Sequence, residues 1–492
     1  MSSASALYST AQVRAMDAYA IAQGVESYTL MKRAGEAALR VLRSRWPRAL
    51  RITVVAGGGN NGGDGYVLAR FAQAAGMSAT VLALVPPQLL RADALRACED
   101  FRASGGRIAG YEPALLGAAD VIVDALLGTG LTATVRADLA QAIHDINACD
   151  RPVFALDVPS GLNADSGAVM GAAIFADCTI SFVALKAGLF LGSGPEHAGR
   201  LSFDDLAVSP PDEPRFRPVL ERLAEGEIAR ALPARRRDAN KGDFGRVLIV
   251  GGAPGMPGAA RLAGESCLRV GAGLVTVATA RENLTAVVAG RPELIVYGLE
   301  EAAALEPLLQ RSDVVAVGPG LGQSSWSQTL VDLVFASGKP LVIDADALNL
   351  LALSGRPAPA HSVLTPHPGE AGRLLGSSAA AVQSDRMAAL QALQARNPGS
   401  VIVLKGAGTL LSAAGEVPAI CERGNPAMAA PGMGDVLTGA IAGILAQCCD
   451  PWRAARAAVL AHALAGDDLA REYSRGILAL ELAEAMSRWV NR

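Results

Sequence analysis

Two stretches of this 492-residue chain combine glycines with acidic and amide side chains in patterns suited to phosphate and proton chemistry. The first is GGGNNGGDG, Gly57 to Gly65, which sets Asn60, Asn61, Gly62, Gly63 and Asp64 between a β-rich run and a helical one. Glycines between strand and helix let the backbone approach a phosphate closely, and the helix start supplies oriented N–H donors. The asparagines and the aspartate depart from a plain dinucleotide fingerprint and add side-chain oxygens. Two later runs, VDALLGTGL with Asp124 and LDVPSGLNADSG with Asp157 and Ser160, also follow β-rich segments. Three strand ends should therefore converge on one crevice. Each aspartate could instead cap a following helix, a reading that the convergence weakens. Asn61, Asp124 and Ser160, with backbone carbonyls, make a set of hard oxygens suited to a monovalent or other hard cation.

The second stretch is GNPAMAAPGMGDVLTGAIAGIL, where Gly432, Met433, Gly434 and Asp435 precede an apolar helical run. Glycines at a helix start create an anion hole for a transferring phosphate, and an aspartate there can take the proton of an attacking hydroxyl. A plain N-cap is the alternative for Asp435. VLKGAGT supplies Lys405, Gly406, Ala407, Gly408 and Thr409 after a strand, suited to nucleotide phosphates or ribose. LTPHPGEAGRLLG places His367 and Glu370 in a Pro/Gly-bounded turn, and GPGLGQ and DADALNLL complete the set of strand ends. His144, His197, His361 and His462 have no such setting.

Positioning these groups requires alternating strands and helices. Apolar spacing from Ala11 to Leu42 predicts one or two helices. Strands are then predicted at Arg51 to Ala56, Ser78 to Leu84, Val121 to Leu126, Pro152 to Asp157 and Thr179 to Leu185. A Pro-rich, charged interval from Val208 to Arg237 reads as a linker. A second series follows at Arg246 to Val250, Leu274 to Ala278, Val314 to Val317, Pro340 to Asp344, Ser362 to Thr365 and Val401 to Leu404. The pattern predicts two doubly wound α/β domains, residues 1–215 and 225–492, with parallel sheets.

A formal net charge of −3 without runs of like charge argues against a nucleic-acid surface or a polybasic membrane patch. No apolar run reaches the roughly 18 residues of a membrane span, and the start lacks a basic stretch followed by an apolar core. A cytoplasmic enzyme acting on small molecules is expected. The seven cysteines are scattered and lack CxxC spacing, so neither a disulfide framework nor a zinc site is suggested.

MKRAG, GGGNNGGDGYVLAR, VDALLGTGL, LDVPSGLNADSG and ALKAGLFLG together resemble the N-terminal epimerase domain of the NAD(P)H-hydrate repair enzymes. The resemblance implies potassium at Asn61, Asp124 and Ser160, and cofactor contacts from Asn60 to Asp64 and from Gly128, Thr129 and Gly130. It also implies Asp157 as acid and base. Lys32 stands where the family commonly has Glu, and Ala187 where Pro is common. From about Leu232 onward the chain resembles the ribokinase-like ADP- or ATP-dependent NAD(P)H-hydrate dehydratases. That likeness implies adenine-nucleotide contacts from Lys405 to Thr409 and Gly434, and hydrate contacts from Ala259, Gly320, His367 and Asp435. Asp435 would be the base and Mg2+ would accompany the nucleotide. Ala427 and Pro431 depart from a Gly/Ser-rich pattern in the preceding loop.

The expected architecture is thus a Rossmann-like doubly wound parallel sheet followed by a ribokinase-like α/β domain. Its expected substrates are the hydrates NADHX and NADPHX with an adenine nucleotide, in a homo-oligomer without nucleic-acid or membrane partners. Two rivals use the same residues: a small-molecule kinase fused to an unrelated binding domain, and a ligand-sensing module without catalysis.

Overall fold

The computed structural model describes residues 5–491. The chain divides into two compact units, with the break between Leu220 and Glu221 inside the charged interval.

In the first unit, helices Thr10–Ala22 and Ser27–Arg45 precede a seven-stranded sheet. Ser9 closes a capping box with Gln12 at the start of the first helix. The sheet runs Arg107–Gly110, Ser78–Ala83, Arg51–Ala56, Val121–Ala125, Val153–Leu156, Cys178–Phe182, Arg200–Asp204, and every pairing is parallel. Four strands lie within the predicted runs, and Cys178–Phe182 overlaps the fifth, beginning one residue earlier. The edge strands Arg107–Gly110 and Arg200–Asp204 escaped prediction because each carries a charge and only partly buried residues, whereas central strands such as Val121–Ala125 are buried throughout. After Ser78–Ala83 and Arg107–Gly110 have been laid on one side of Arg51–Ala56, the chain returns to lay Val121–Ala125 on the other. This reversal opens a crevice at the carboxyl ends of those two strands.

The second unit repeats the plan. From a central Arg246–Val250 the chain adds Leu274–Ala280 and Ile295–Leu299 on one side, then Val314–Val317, Leu341–Ile343, Ser362–Leu364 and Val401–Leu404 on the other, all parallel. The sheet departs from the all-parallel expectation beyond that point. Thr409–Ser412 runs antiparallel to both neighbours, Val401–Leu404 and Ala419–Cys421, because Gly406 and Gly408 at positive φ fold the chain straight back before it. Helix Met433–Cys448 is almost wholly buried and crosses helix Pro257–Arg269 so closely that a Cβ at Gly439 would collide with the Ala263 carbonyl. That close crossing fixes where the helix start, and Asp435 with it, meets the sheet.

Candidate active sites

In the first unit the glycine-rich run is not a long loop. Helix Asn60–Ala74 begins after only Gly57, Gly58 and Gly59, so Asn60 to Gly65 form its opening turns. The glycines serve packing as much as ligand access. A Cβ at Gly62 would strike the Gly57 carbonyl oxygen, one at Gly63 the Met31 side chain, and one at Gly65 the Ala125 methyl and Val54. The helix start is thereby drawn down onto the sheet, and its free N–H groups face a cavity of about 850 Å³ at the strand ends.

The structure brings together most of the residues predicted for this site, whereas Gly62 and Gly63 do not line the cavity and pack against Gly57 and Met31. Asn60, Asn61, Asp64, Gly128, Thr129, Gly130 and Asp157 all line that cavity. Beneath it lies a buried oxygen cluster. Ser160 Oγ donates to Asp124 Oδ1 at 2.6 Å and accepts from the Leu127 N–H at 2.8 Å, and the Ser160 N–H donates to Asp124 Oδ2 at 2.8 Å. Asn61 Nδ2 donates to the Leu127 carbonyl at 2.9 Å, leaving Asn61 Oδ1 buried without a partner. Burial pushes the fully enclosed Asp124 carboxyl up to about 6, against the pull of the Ser160 and Leu126 hydrogen bonds. Neither Asp124 nor Asp157 caps a helix, since the next helix after each starts well downstream, at Ala137 and Gly194.

Sequence reasoning missed two partners. Lys186, within ALKAG, is 1% exposed and ion-pairs with Asp157 Oδ1. A single lysine closing an apolar run, TISFVALK, was the available signal, because buried lysines are nearly always paired. Asp17, on helix Thr10–Ala22, also lines the cavity with Arg14 and Arg136. Burial pushes Asp17 up to about 6, with Lys186 opposing and Asp157 assisting. Asp64 is raised well above the usual carboxylate range by burial, then by Asp157 and Asp17.

In the second unit Lys405 to Gly408 form the turn between two antiparallel strands, and Thr409 opens the second of them. Arg386, itself 8% exposed, supports that turn from below by donating to the carbonyls of Leu404, Lys405 and Gly408. Nothing in its neighbourhood sequence, SDRMAAL, announces that role. Lys405 Nζ is engaged by Asp344 Oδ1 at 2.7 Å, with Glu370 Oε2 at 3.9 Å, and Asp344 Oδ2 accepts from Thr438 Oγ1 at 2.7 Å. A Cβ on Gly434 would sit 3.3 Å from the Lys405 ammonium, so the helix start meets the turn directly.

Asp435 lies in the first turn of Met433–Cys448, whose cap is Gly432 at φ 85° with no side-chain cap bond, so the capping alternative does not hold. Burial first, then Asp344, Asp346 and Glu370 against the opposing Lys405, push the Asp435 carboxyl up to about 7. His367 caps helix Pro368–Leu375 through Nδ1 and faces Glu370 Oε1 at 3.2 Å through Nε2. Ala259 and Gly320 meet at the sheet reversal, where a Cβ on Gly320 would lie 2.9 Å from the Ala259 methyl. His462, unassigned from sequence, has its Nε2 3.0 Å from the Met433 carbonyl, and burial depresses it to about 4, so it buttresses the helix start as a neutral ring.

No helix among the described residues is long and apolar enough to cross a membrane. Residues 27–188 match the family model described as YjeF-related protein N-terminus, and residues 247–488 match NAD(P)H-hydrate dehydratase. The second unit is similar to a ribokinase-like superfamily protein from Enterococcus faecalis, with 33% identity, a TM-score of 0.52, and coverage of 56% of this chain and 96% of that one. A bifunctional NAD(P)H-hydrate repair enzyme from Coxiella burnetii is 46% identical over 490 residues, spanning 99% of both chains. Its Escherichia coli counterpart is 44% identical over 473 residues, 95% of this chain and 90% of that one. With each site built on its own unit and full-length relatives carrying both units in the same order, the chain belongs to the family of bifunctional NAD(P)H-hydrate repair enzymes.

Proposed function

We propose that the first unit interconverts the R and S hydrates of NADH and NADPH at C6, and that the second uses an adenine nucleotide, ADP by preference, to dehydrate the S hydrate to NAD(P)H. The observation that carries the reading is the presence on one chain of two proton-handling carboxyls at separate phosphate-suited helix starts: Asp157 opposite Asn60–Ala74, and Asp435 on Met433–Cys448.

In the first cavity, Arg14, bonded to the Thr129 carbonyl, and Arg136 are the cations suited to the dinucleotide phosphates, while Asp17, Asp64 and Asp157 supply the acidic end for the reduced ring. Asp157 takes part in the acid and base steps by which the C6 hydroxyl is lost and regained. The oxygens of Asn61, Asp124 and Ser160 fit potassium, and the buried, partnerless Asn61 Oδ1 supports that fit. With a single carboxylate, the set suits a monovalent ion, which would brace the loops that carry Asn61 and Ser160.

In the second unit Asp435 would take the proton of the C6 hydroxyl as its oxygen attacks the terminal phosphorus of the nucleotide. The phosphate ester then leaves with its bonding pair, which hydroxide would do poorly, and loss of a ring proton restores the reduced nicotinamide. Gly434, the turn from Lys405 to Gly408, and Thr409 would hold the nucleotide, while Ala259, Gly320 and His367 would line the hydrate subsite. No group of three or more His, Cys, Asp or Glu side chains able to hold a metal occurs among the described residues, so Mg2+ would enter on the nucleotide phosphates and neutralise their charge.

All seven cysteines are unpaired, which supports a reducing cytoplasmic setting. The test supplies mixed R and S hydrates with ADP or ATP and Mg2+, and follows the absorbance of the reduced ring. Complete recovery of both epimers is expected. A phosphorylated product without the reduced chromophore would identify a kinase instead, and recovery of S alone would remove the epimerase half.

A further inference from the structure

Three carboxyl groups and one lysine face the first cavity, and the lysine is fully committed. An ammonium has three N–H donors. Those of Lys186 go to Asp157 Oδ1, the Phe182 carbonyl at 2.7 Å and Ser181 Oγ at 3.2 Å. Asp157 also accepts from the Phe182 N–H at 3.3 Å, so it is anchored on two sides. Neither Asp17 nor Asp64 receives a hydrogen bond or an ion pair from any described residue, although both open onto the same space. The remaining cations on the wall are engaged elsewhere: Arg14 donates to the Thr129 carbonyl at 3.1 Å, and Arg136 pairs with Asp138 at 3.4 Å. Two carboxyls that face only the distant charge of a lysine already held by Asp157 repel each other across one cavity, which favours keeping a proton on one of them. The direction of the shifts at Asp64 and Asp17 agrees with that geometry.

We propose that the two halves of proton transfer in epimerisation fall on different residues: in one direction Asp64 donates the proton to the departing oxygen and Asp157, tied to Lys186, accepts the proton of the incoming water, and in the reverse direction the two exchange roles. Asp17 is a positioning residue that keeps the proton on Asp64. This division rests on the epimerase reading above.

The steps balance without an oxidant or reductant. The C6–O bond breaks with its pair on oxygen, the Asp64 proton completes a water molecule, and the N1 lone pair closes an N1=C6 double bond. A water on the opposite face then gives its lone pair to C6, the double-bond pair returns to N1, and the surplus proton passes to Asp157. Exchange with cavity water returns the proton to Asp64. The cationic ring formed midway would lie beside the Asp157 and Asp17 carboxyls, which favours this route over ring opening.

The test uses the full-length protein and begins with epimer exchange by the wild type, since failure at that point overturns the epimerase reading itself. Given exchange, Asp64→Asn should lower it by about 100-fold or more, the usual worth of a positioned general acid, while calorimetric hydrate binding stays within threefold. Dehydration of the S epimer by the same sample reports that the chain is folded. The rate in wild type should fall at alkaline pH as Asp64 loses its proton. Asp17→Asn, by removing a like charge, should move that fall to lower pH without abolishing exchange, a shift that a purely structural role would not produce. In water enriched in heavy oxygen, each inversion should carry one solvent oxygen into the product. Exchange in Asp64→Asn within tenfold of wild type, an unmoved alkaline limb in Asp17→Asn, or inversion with retained oxygen would each overturn the proposal.

Discussion

Replacing Asp435 with asparagine should make the second unit more stable while removing its chemistry. The Asp435 carboxyl is pushed up to about 7 by burial and by Asp344, with Asp346 and Glu370 adding to the effect and Lys405 opposing it. An aspartate in the unfolded chain titrates near ~3.9. Between those two values the native protein holds a proton that the unfolded chain has released. Stability from this group is therefore full below about pH 4, falls by about 1.4 kcal/mol per pH unit as pH rises, and is lost once pH passes about 7. The upper limit on the loss is about 4 kcal/mol, and relaxation around the partly open carboxyl brings the expectation to about 2–4 kcal/mol. Asparagine does not titrate. The variant should match wild type near pH 4 and exceed it at about pH 8 by that amount, with other carboxylates cancelling in the comparison. Urea unfolding of both proteins across this range measures it, with Trp326, Trp452 and Trp489 reporting on the second unit and Trp46 on the first. Dehydration by wild type should rise about tenfold from about pH 6 to about pH 8 as the base ionises, whereas the variant loses dehydration and keeps epimerisation. A stability difference that does not vary with pH would refute the electrostatic reasoning. A variant rate within tenfold of wild type, a barrier change of only about 1.4 kcal/mol, would remove Asp435 from the base role.

Three further outcomes are expected. Because burial pushes Asp124 up to about 6, protons should compete with potassium at the oxygen cluster, and the potassium needed for half-maximal epimerisation should rise about tenfold per unit below about pH 6; a flat requirement between pH values would count against Asp124 as a ligand. Arg386→Met withdraws the donors from three carbonyls under the Lys405 to Gly408 turn, so the KM for nucleotide should rise at least about tenfold with kcat less affected, and Tm should fall by several degrees; an unchanged KM would show that the turn keeps its shape without that support. Gly62→Ala forces a methyl into the Gly57 carbonyl and should abolish epimerisation while sparing dehydration, read by assaying both activities in one preparation; retained epimerisation would mean that the helix start can shift without cost to the site.

Legibility in the sequence followed the physics of each signal. Central strands such as Val121–Ala125, buried on every side, announce themselves as apolar runs, while Arg200–Asp204 at the sheet edge is charged at both ends and only partly buried and does not. The glycine-rich helix starts were visible because small residues cluster where backbones must meet. The same glycines concealed the true beginning of helix Asn60–Ala74, since their low helix propensity reads as loop when it is close packing on Val54 and Ala125 that overrides it. Thr409–Ser412 escaped notice for the opposite reason: the turn before it reads as a strand-to-helix loop until Gly406 and Gly408 are seen to reverse the chain. Ion pairs remote in sequence, Lys186 with Asp157 and Lys405 with Asp344, become visible only when the fold closes.

Asp157 lies at φ 67°, a left-handed backbone that glycine adopts freely and most side chains resist at a cost of about 1–2 kcal/mol. Random substitution at this codon therefore meets an uneven field. Glycine would relax the backbone yet leave the enclosed Lys186 ammonium without its counter-ion, and branched or bulky side chains would bear both burdens at once. Asparagine tolerates the left-handed region and keeps a hydrogen-bonding oxygen for the lysine. Any lineage that abandons epimerisation while keeping the fold should drift at this position toward asparagine, or lose Lys186 and Asp157 as a pair, so that the two positions together record whether the first activity is still under selection.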